Sequence, residues 1–152
     1  MPGGKRPATP SSEPAKGSES AATASSALAG RRPRGQRAEQ LAAALLEAKG
    51  LRIVVRNWRQ PGGELDLVAD DNGTCVFVEV RSRTGQDFGH PLEAISTHKR
   101  AQVIRAARLY LMEEAPQASG FRFDVVGVLF NADDAAAEPE CFHVPNAFEV
   151  GG

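Results

Sequence analysis

Two runs of strand-forming residues joined by an Asn-Gly pair constrain this chain more than any other feature. The first is Gly63-Glu64-Leu65-Asp66-Leu67-Val68-Ala69, and the second is Val76-Phe77-Val78-Glu79-Val80-Arg81-Ser82-Arg83. Between them lies Asp71-Asn72-Gly73-Thr74. Asn-Gly is favoured in two-residue hairpin loops because both positions need a positive φ. With Asn72 and Gly73 as the loop, Asp71 faces Thr74. Five steps further along each strand, Asp66 faces Glu79, and two more steps bring Glu64 opposite Arg81.

Two carboxylates directly across a strand pair, with Cβ atoms about 5 Å apart, repel each other. The second run is apolar at alternate positions on both faces (Cys75 and Phe77 on one, Val76, Val78 and Val80 on the other), which predicts a strand covered on both sides. Burying a carboxylate there is costly unless a positive group meets it. A divalent cation between Asp66 and Glu79 turns the repulsion into attraction. Magnesium in particular takes one or two carboxylates together with water and phosphate oxygens. The competing expectation is a hairpin with one solvated face and the acids outside. It does not explain why two acids, and not opposite charges, face each other.

Around the hairpin the chain reads as an α/β domain. Ala38, Leu41, Ala42, Leu45 and Leu46 follow helical spacing, and Gly50 marks a stop. Leu51 to Trp58 reads as a strand, Pro61-Gly62-Gly63 as a turn, and Gly85 to Pro91 as a loop. A second helix is predicted from Ser96 or Thr97 to Glu114, with Val103, Ile104, Ala107 and Leu111 as its apolar stripe. Phe121–Phe130 and a short Cys141–Val144 read as strands, with an acidic, alanine-rich loop between them. The order helix, three strands, helix, one or two strands predicts a mixed central sheet flanked by helices.

The bulk properties exclude more than they assign. A formal net charge of -1 gives no global field for nucleic acid, so polyanion binding has to come from local patches. Two cysteines, Cys75 and Cys141, form neither a disulfide framework nor a zinc pattern, and they fit a reducing, cytoplasmic setting. No apolar run approaches the roughly 20 residues that span a bilayer, so no membrane partner is expected. Residues 1–34 are rich in Pro, Ser, Ala and Gly, end in a basic run, and read as a disordered tail, with 35–152 as the domain. Within the run Arg31-Arg32-Pro33-Arg34-Gly35-Gln36-Arg37, Arg37 is a candidate phosphate contact; the alternative is a solvated linker.

An acid on one strand, then acid-X-basic on the next, is the PD-(D/E)XK pattern of restriction-endonuclease-like nucleases; here it reads Asp66, then Glu79-Val80-Arg81. The wider set Asn57-Trp58-Arg59, Gly63 to Leu67, Phe77 to Arg83, Phe88-Gly89, Lys99 and Arg122-Phe123-Asp124-Val125 resembles the YraN family of uncharacterised bacterial proteins. That family is regarded as similar to archaeal Holliday-junction resolvases. The resemblance spans about Arg34 to Val150 and implies a restriction-endonuclease-like core. It implies a metal-dependent endonuclease acting on DNA, including branched DNA, and pairing into a homodimer. Asp66 and Glu79 would hold Mg2+ or Mn2+, with Glu39 of the first helix completing the metal site and Glu64 supporting it as a structural partner.

The basic position of the motif departs from the pattern, with Arg81 where lysine is usual. Arginine does not give up its proton, so Arg81 can stabilise charge on a reacting phosphate or orient a water but cannot act as a general base. Arg83, on the same face as Arg81, and Lys99, at the start of the second helix where free N–H groups favour phosphate, are candidate nucleic-acid contacts. Arg105 and Arg108 read as ordinary exposed charges, His90 and His143 as structural, and Asp124 as a structural hydrogen-bonding residue. The alternative function is a non-catalytic module on a degenerate nuclease fold that binds nucleic acid or a partner. Arg81 and the near-neutral charge favour it.

Overall fold

The computed structural model describes residues 32–85 and 95–151. The expected tail, the loop motif Phe88-Gly89 and His90 lie outside the described residues. The chain divides into two units, Met1–Gln36 and Arg37–Gly152. Of the first, only the residues from Arg32 onward, which open a helix, are described.

That helix, α1 (Arg32–Ala48), starts six residues before the apolar spacing predicts, so Arg37 lies within it and not on an extended arm. Proline is tolerated in a first helical turn, and arginine and glutamine are good helix formers, so the basic run continues the helix without apolar residues. The C-terminal stop forms as expected. Gly50 has a φ of 97°, its N–H bonds Glu47 O, and the N–H of Leu51 reaches Leu46 O, which is a Schellman arrangement.

Five strands follow with one helix among them: β1 (Arg52–Gln60), β2 (Gly63–Asp71), β3 (Thr74–Thr84), α2 (Thr97–Glu114), β4 (Gly120–Phe130) and β5 (Glu140–Phe148). They form one mixed sheet in sequential order, antiparallel except for the parallel pair β3–β4 that α2 connects. Asn72 and Gly73 both have positive φ, 52° and 96°, and the register runs from Asp71↔Thr74 to Leu67↔Val78, as counted from the turn. Ser96 caps α2, its hydroxyl accepting the N–H of Lys99 at 3.0 Å.

The sheet is covered on both faces, which explains the doubly apolar β3. On one side Leu67, Val76, Val78, Val126 and Val128 pack with Ala38, Ala42, Ala43 and Leu46 of α1. On the other, Trp58, Val68, Phe77 and Phe123 pack with Val103, Ala106, Ala107 and Tyr110 of α2. The β1–β2 turn is pressed hard against α2. A Cβ on Gly63 would lie 2.8 Å from the Cβ of Ala106 and 2.9 Å from its Cα.

The last strand is longer than Cys141–Val144. It continues past Pro145, which an edge strand tolerates because its missing N–H faces outward. Asn146 takes a φ of 53°, and its N–H bonds Asp124 Oδ1 at 2.9 Å. Asp124 is fully buried, and Arg122 Nε (2.9 Å) and His143 Nε2 (2.8 Å) also donate to it. Arg122 in addition bonds Asp71 Oδ2 at 2.8 Å. Both Asp124 and His143 thus hold the β4–β5 edge together, which is the structural role the sequence suggests.

Candidate active site

The site forms where the hairpin ladder stops. Leu67↔Val78 is its last pair, one step before Asp66 and Glu79 would face each other. On the other side, the pairs Arg56↔Leu67 and Trp58↔Leu65 set Asn57 level with Asp66, but Asn57 has a left-handed backbone (φ 53°) and makes no ladder pair. The sheet therefore opens locally at Asp66, and its side chain does what a backbone carbonyl does elsewhere in the strand. Asp66 Oδ2 accepts the Val80 N–H at 2.8 Å.

Asp66 and Glu79 are within hydrogen-bonding reach of each other on the α2 face of the sheet. The Glu79 side chain is only 11% exposed, and its Oε2 lies 3.4 Å from Lys99 Nζ, which descends from the first turn of α2. Burial pushes the Glu79 carboxyl up to about 7, helped by the neighbouring Asp66 charge and opposed by the Lys99 ammonium. Burial raises Asp66 as well, against the pull of the Val80 N–H and of Lys99. Two carboxyls that both resist ionisation beside each other are short of positive charge.

Arg81 lies two residues along β3, paired with Gly127 of β4. Partial burial, chiefly, and the charge of Arg83 lower its pKa, and Glu79 raises it. Its Nε is buried and meets no hydrogen-bond partner among the described residues. Arg83 follows on the same strand, one Nη donating to Ser82 O at 2.9 Å.

The other candidates are placed elsewhere. Glu64 does not pair with Arg81. The ladder between β2 and β3 has ended by Leu67, so Glu64 belongs to the stretch of β2 bonded to β1 and pairs with its cross-strand neighbour Arg59 at 3.4 Å. Glu39, on α1, accepts the Nδ2–H of Asn57 at 2.9 Å. It thus reaches the row of Asp66 through Asn57, and no group of three metal-binding side chains forms among the described residues. Arg37 stacks its guanidinium 5.6 Å over the Phe130 ring.

Asn57 enters the sequence reading only within the family resemblance, because nothing in Arg56-Asn57-Trp58 announces a left-handed residue inside a strand. The contact of Lys99 with Glu79 was equally hidden, since it depends on how α2 docks.

The half-buried Asp66 and the buried Glu79 offer hard oxygen donors, which suit Mg2+ or Mn2+, ions that keep several waters and need few protein ligands. Lys99 stands 3.4 Å from Glu79, and Arg81 and Arg83 follow Glu79 along β3. Among the described residues, no helix is long and apolar enough to cross a membrane.

The model of "Uncharacterised protein family UPF0102" matches residues 38–128, a stretch containing Asp66, Glu79, Arg81, Lys99 and Asp124. A UPF0102 protein of Syntrophotalea carbinolica is 42% identical over 118 residues, covering 78% of this chain and 93% of the relative. One from Beutenbergia cavernae is 50% identical over 98 residues, covering 64% and 83%. Another from Geobacter metallireducens is 39% identical over 116 residues, covering 76% and 92%.

Proposed function

The chain belongs to uncharacterised protein family UPF0102, the YraN family, and from that premise we propose that it is a metal-dependent endonuclease hydrolysing phosphodiester bonds of DNA. The observation that carries the reading is the buried Glu79 beside the half-buried Asp66, with Lys99 3.4 Å from Glu79. Asp66 and Glu79 would hold the cation, Mg2+ or Mn2+. When bound, it supplies positive charge to the scissile phosphate and acidity to a water.

The protein's own groups have distinct parts in this reading. The Val80 N–H fixes Asp66 through Oδ2 and so sets the direction of its other oxygen. Lys99 brings from α2 the ammonium that the nuclease motif ordinarily places at the position of Arg81. It stands beside the acid pair, where it holds a phosphate oxygen or passes a proton. Arg81 and Arg83 offer guanidinium donors to the phosphate backbone.

A second reading has one observation in its favour: Lys99 already offsets part of the acid charge, so the cluster can persist as a structural ion group in a nucleic-acid-binding module. A cleavage assay separates the two. The purified protein is incubated with single-stranded, duplex and four-way-junction DNA in Mg2+ and in Mn2+. The nuclease reading expects cleavage of at least one substrate that Asp66→Asn and Glu79→Gln abolish. It fails if no substrate is cut, or if both variants cut as well as the wild type.

A further inference from the structure

A groove of about 400 Å³ runs from Lys99 between the β1–β2 turn and α2. We infer that this groove holds the sugar–phosphate backbone of the substrate strand to one side of the acid pair, with Arg105 on a phosphate, and that it does so without reading sequence. The inference rests on the nuclease reading and adds to it which strand segment is gripped and how.

The groove and the acid pair share a residue. Lys99 lines the groove while its Nζ touches Glu79. A strand passing the acids therefore enters it directly. Its wall is rigid, because the turn backbone at Gly63 packs onto Ala106 with no room for a side chain. Its polar lining residues are Arg59, Gln60 and Glu64 from β1 and β2, and Lys99, Gln102 and Arg105 from α2. Val103 is its single apolar side chain and no aromatic ring lines it, so it offers no surface on which a base could stack. What it presents is amide groups, which both donate and accept, and cations. These suit sugar and phosphate oxygens, which position a nucleic acid without specifying its sequence.

The charges separate the arginines. Arg59 is engaged by Glu64 at 3.4 Å. Arg105 is exposed and has no acidic partner among the described residues. It is six residues beyond Lys99 on α2, about 9 Å along the helix axis, so the two cations meet different phosphates of one strand. Arg108 carries the same charge three residues further on but does not line the groove.

The test compares Arg105→Gln with Arg108→Gln in the full chain, using fluorescence anisotropy of labelled oligonucleotides of differing sequence over a salt series with Mn2+. Losing one phosphate contact predicts for Arg105→Gln about five- to tenfold weaker binding, equal for every sequence, with a salt slope smaller by about one. Arg108→Gln should keep the wild-type slope and bind within about twofold, as a distant screened charge does. The Mn2+-induced thermal shift should be unchanged in both, since neither touches the acids. Equal effects of the two substitutions, or a loss that depends on sequence, overturn the groove assignment alone. If the wild-type protein binds none of the oligonucleotides, with or without Mn2+, the nuclease reading falls and the groove assignment with it.

Discussion

Glu79→Gln should stabilise the metal-free protein at pH 8 and leave it nearly unchanged at pH 5. In the folded protein Glu79 holds its proton up to about 7 against an ordinary 4.5, chiefly because it is buried and because Asp66 lies beside it. Between those two values the folded state keeps a proton that the unfolded chain has released. Stability is therefore highest below pH 4.5 on this account and is lost as pH rises through about 7. At about 1.4 kcal/mol for each pH unit of separation, the loss is on the order of 3 kcal/mol. An amide cannot ionise, keeps nearly the same volume and can donate to Asp66, so the variant escapes the loss. It gives up the contact with Lys99, a side chain 40% exposed, and that costs little where water can take its place. The assay is urea unfolding followed by the fluorescence of the single tryptophan, Trp58, which is buried. Both proteins are measured from pH 5 to 8 with a chelator present. Taking the difference between them cancels the titrating groups that Glu79 does not touch. A difference that moves by about 2–3 kcal/mol in favour of the variant supports the buried-acid geometry. A difference that stays flat within about 0.5 kcal/mol, or moves the other way, refutes it.

Three further outcomes follow from other parts of the molecule. Lys99→Met should abolish cleavage while Mn2+ binding at pH 8 is kept or tightened, because removing a positive charge beside the acids favours another cation; loss of Mn2+ binding in calorimetry would contradict this. Asp124→Ala should cost about 3–5 kcal/mol in urea unfolding, since it removes the fully buried acid to which both Arg122 and His143 donate. Hydrogen bonds from His143 and Arg122 outweigh burial and hold the Asp124 carboxyl below its ordinary 3.8, so its contribution is present above pH 4 and lost as pH falls through the lowered value; acid unfolding curves of the two proteins should converge at the acid end. Gly63→Ala should destabilise by about 1–3 kcal/mol, because its new Cβ lies 2.8 Å from that of Ala106; a neutral substitution would show that the turn is not pressed onto α2.

Local signals carried most of the fold. The Asn72-Gly73 turn sets the β2–β3 register, and counting from it brings Asp66 and Glu79 to adjacent places. The capping Ser96 and the stop at Gly50 marked helix ends, because caps are local chemistry. Readings failed where tertiary contacts override pattern. The basic run to Arg37 has no apolar periodicity, yet it continues α1. The strand expected at Cys141–Val144 is longer, because an edge position tolerates Pro145 and the bond from Asn146 to Asp124 carries β5 on to Phe148. Glu64 was assigned to Arg81 by extending the register beyond the point where the sheet opens, and that opening depends on the left-handed Asn57 and the side chain of Asp66. The meeting of Lys99 with Glu79 depends on the docking of α2, for which spacing along the chain gives no rule.

The most direct measurement is a manganese titration read by electron paramagnetic resonance, in which the signal of free aqueous Mn2+ falls as the ion binds. If Asp66 and Glu79 form the cation site, the wild-type protein takes up one Mn2+ at pH 8. Uptake should weaken markedly at pH 6, where Glu79 holds its proton, and vanish in Glu79→Gln. Undiminished binding in Glu79→Gln, or no binding by the wild type at pH 8, would contradict the metal site and the hydrolytic chemistry built on it.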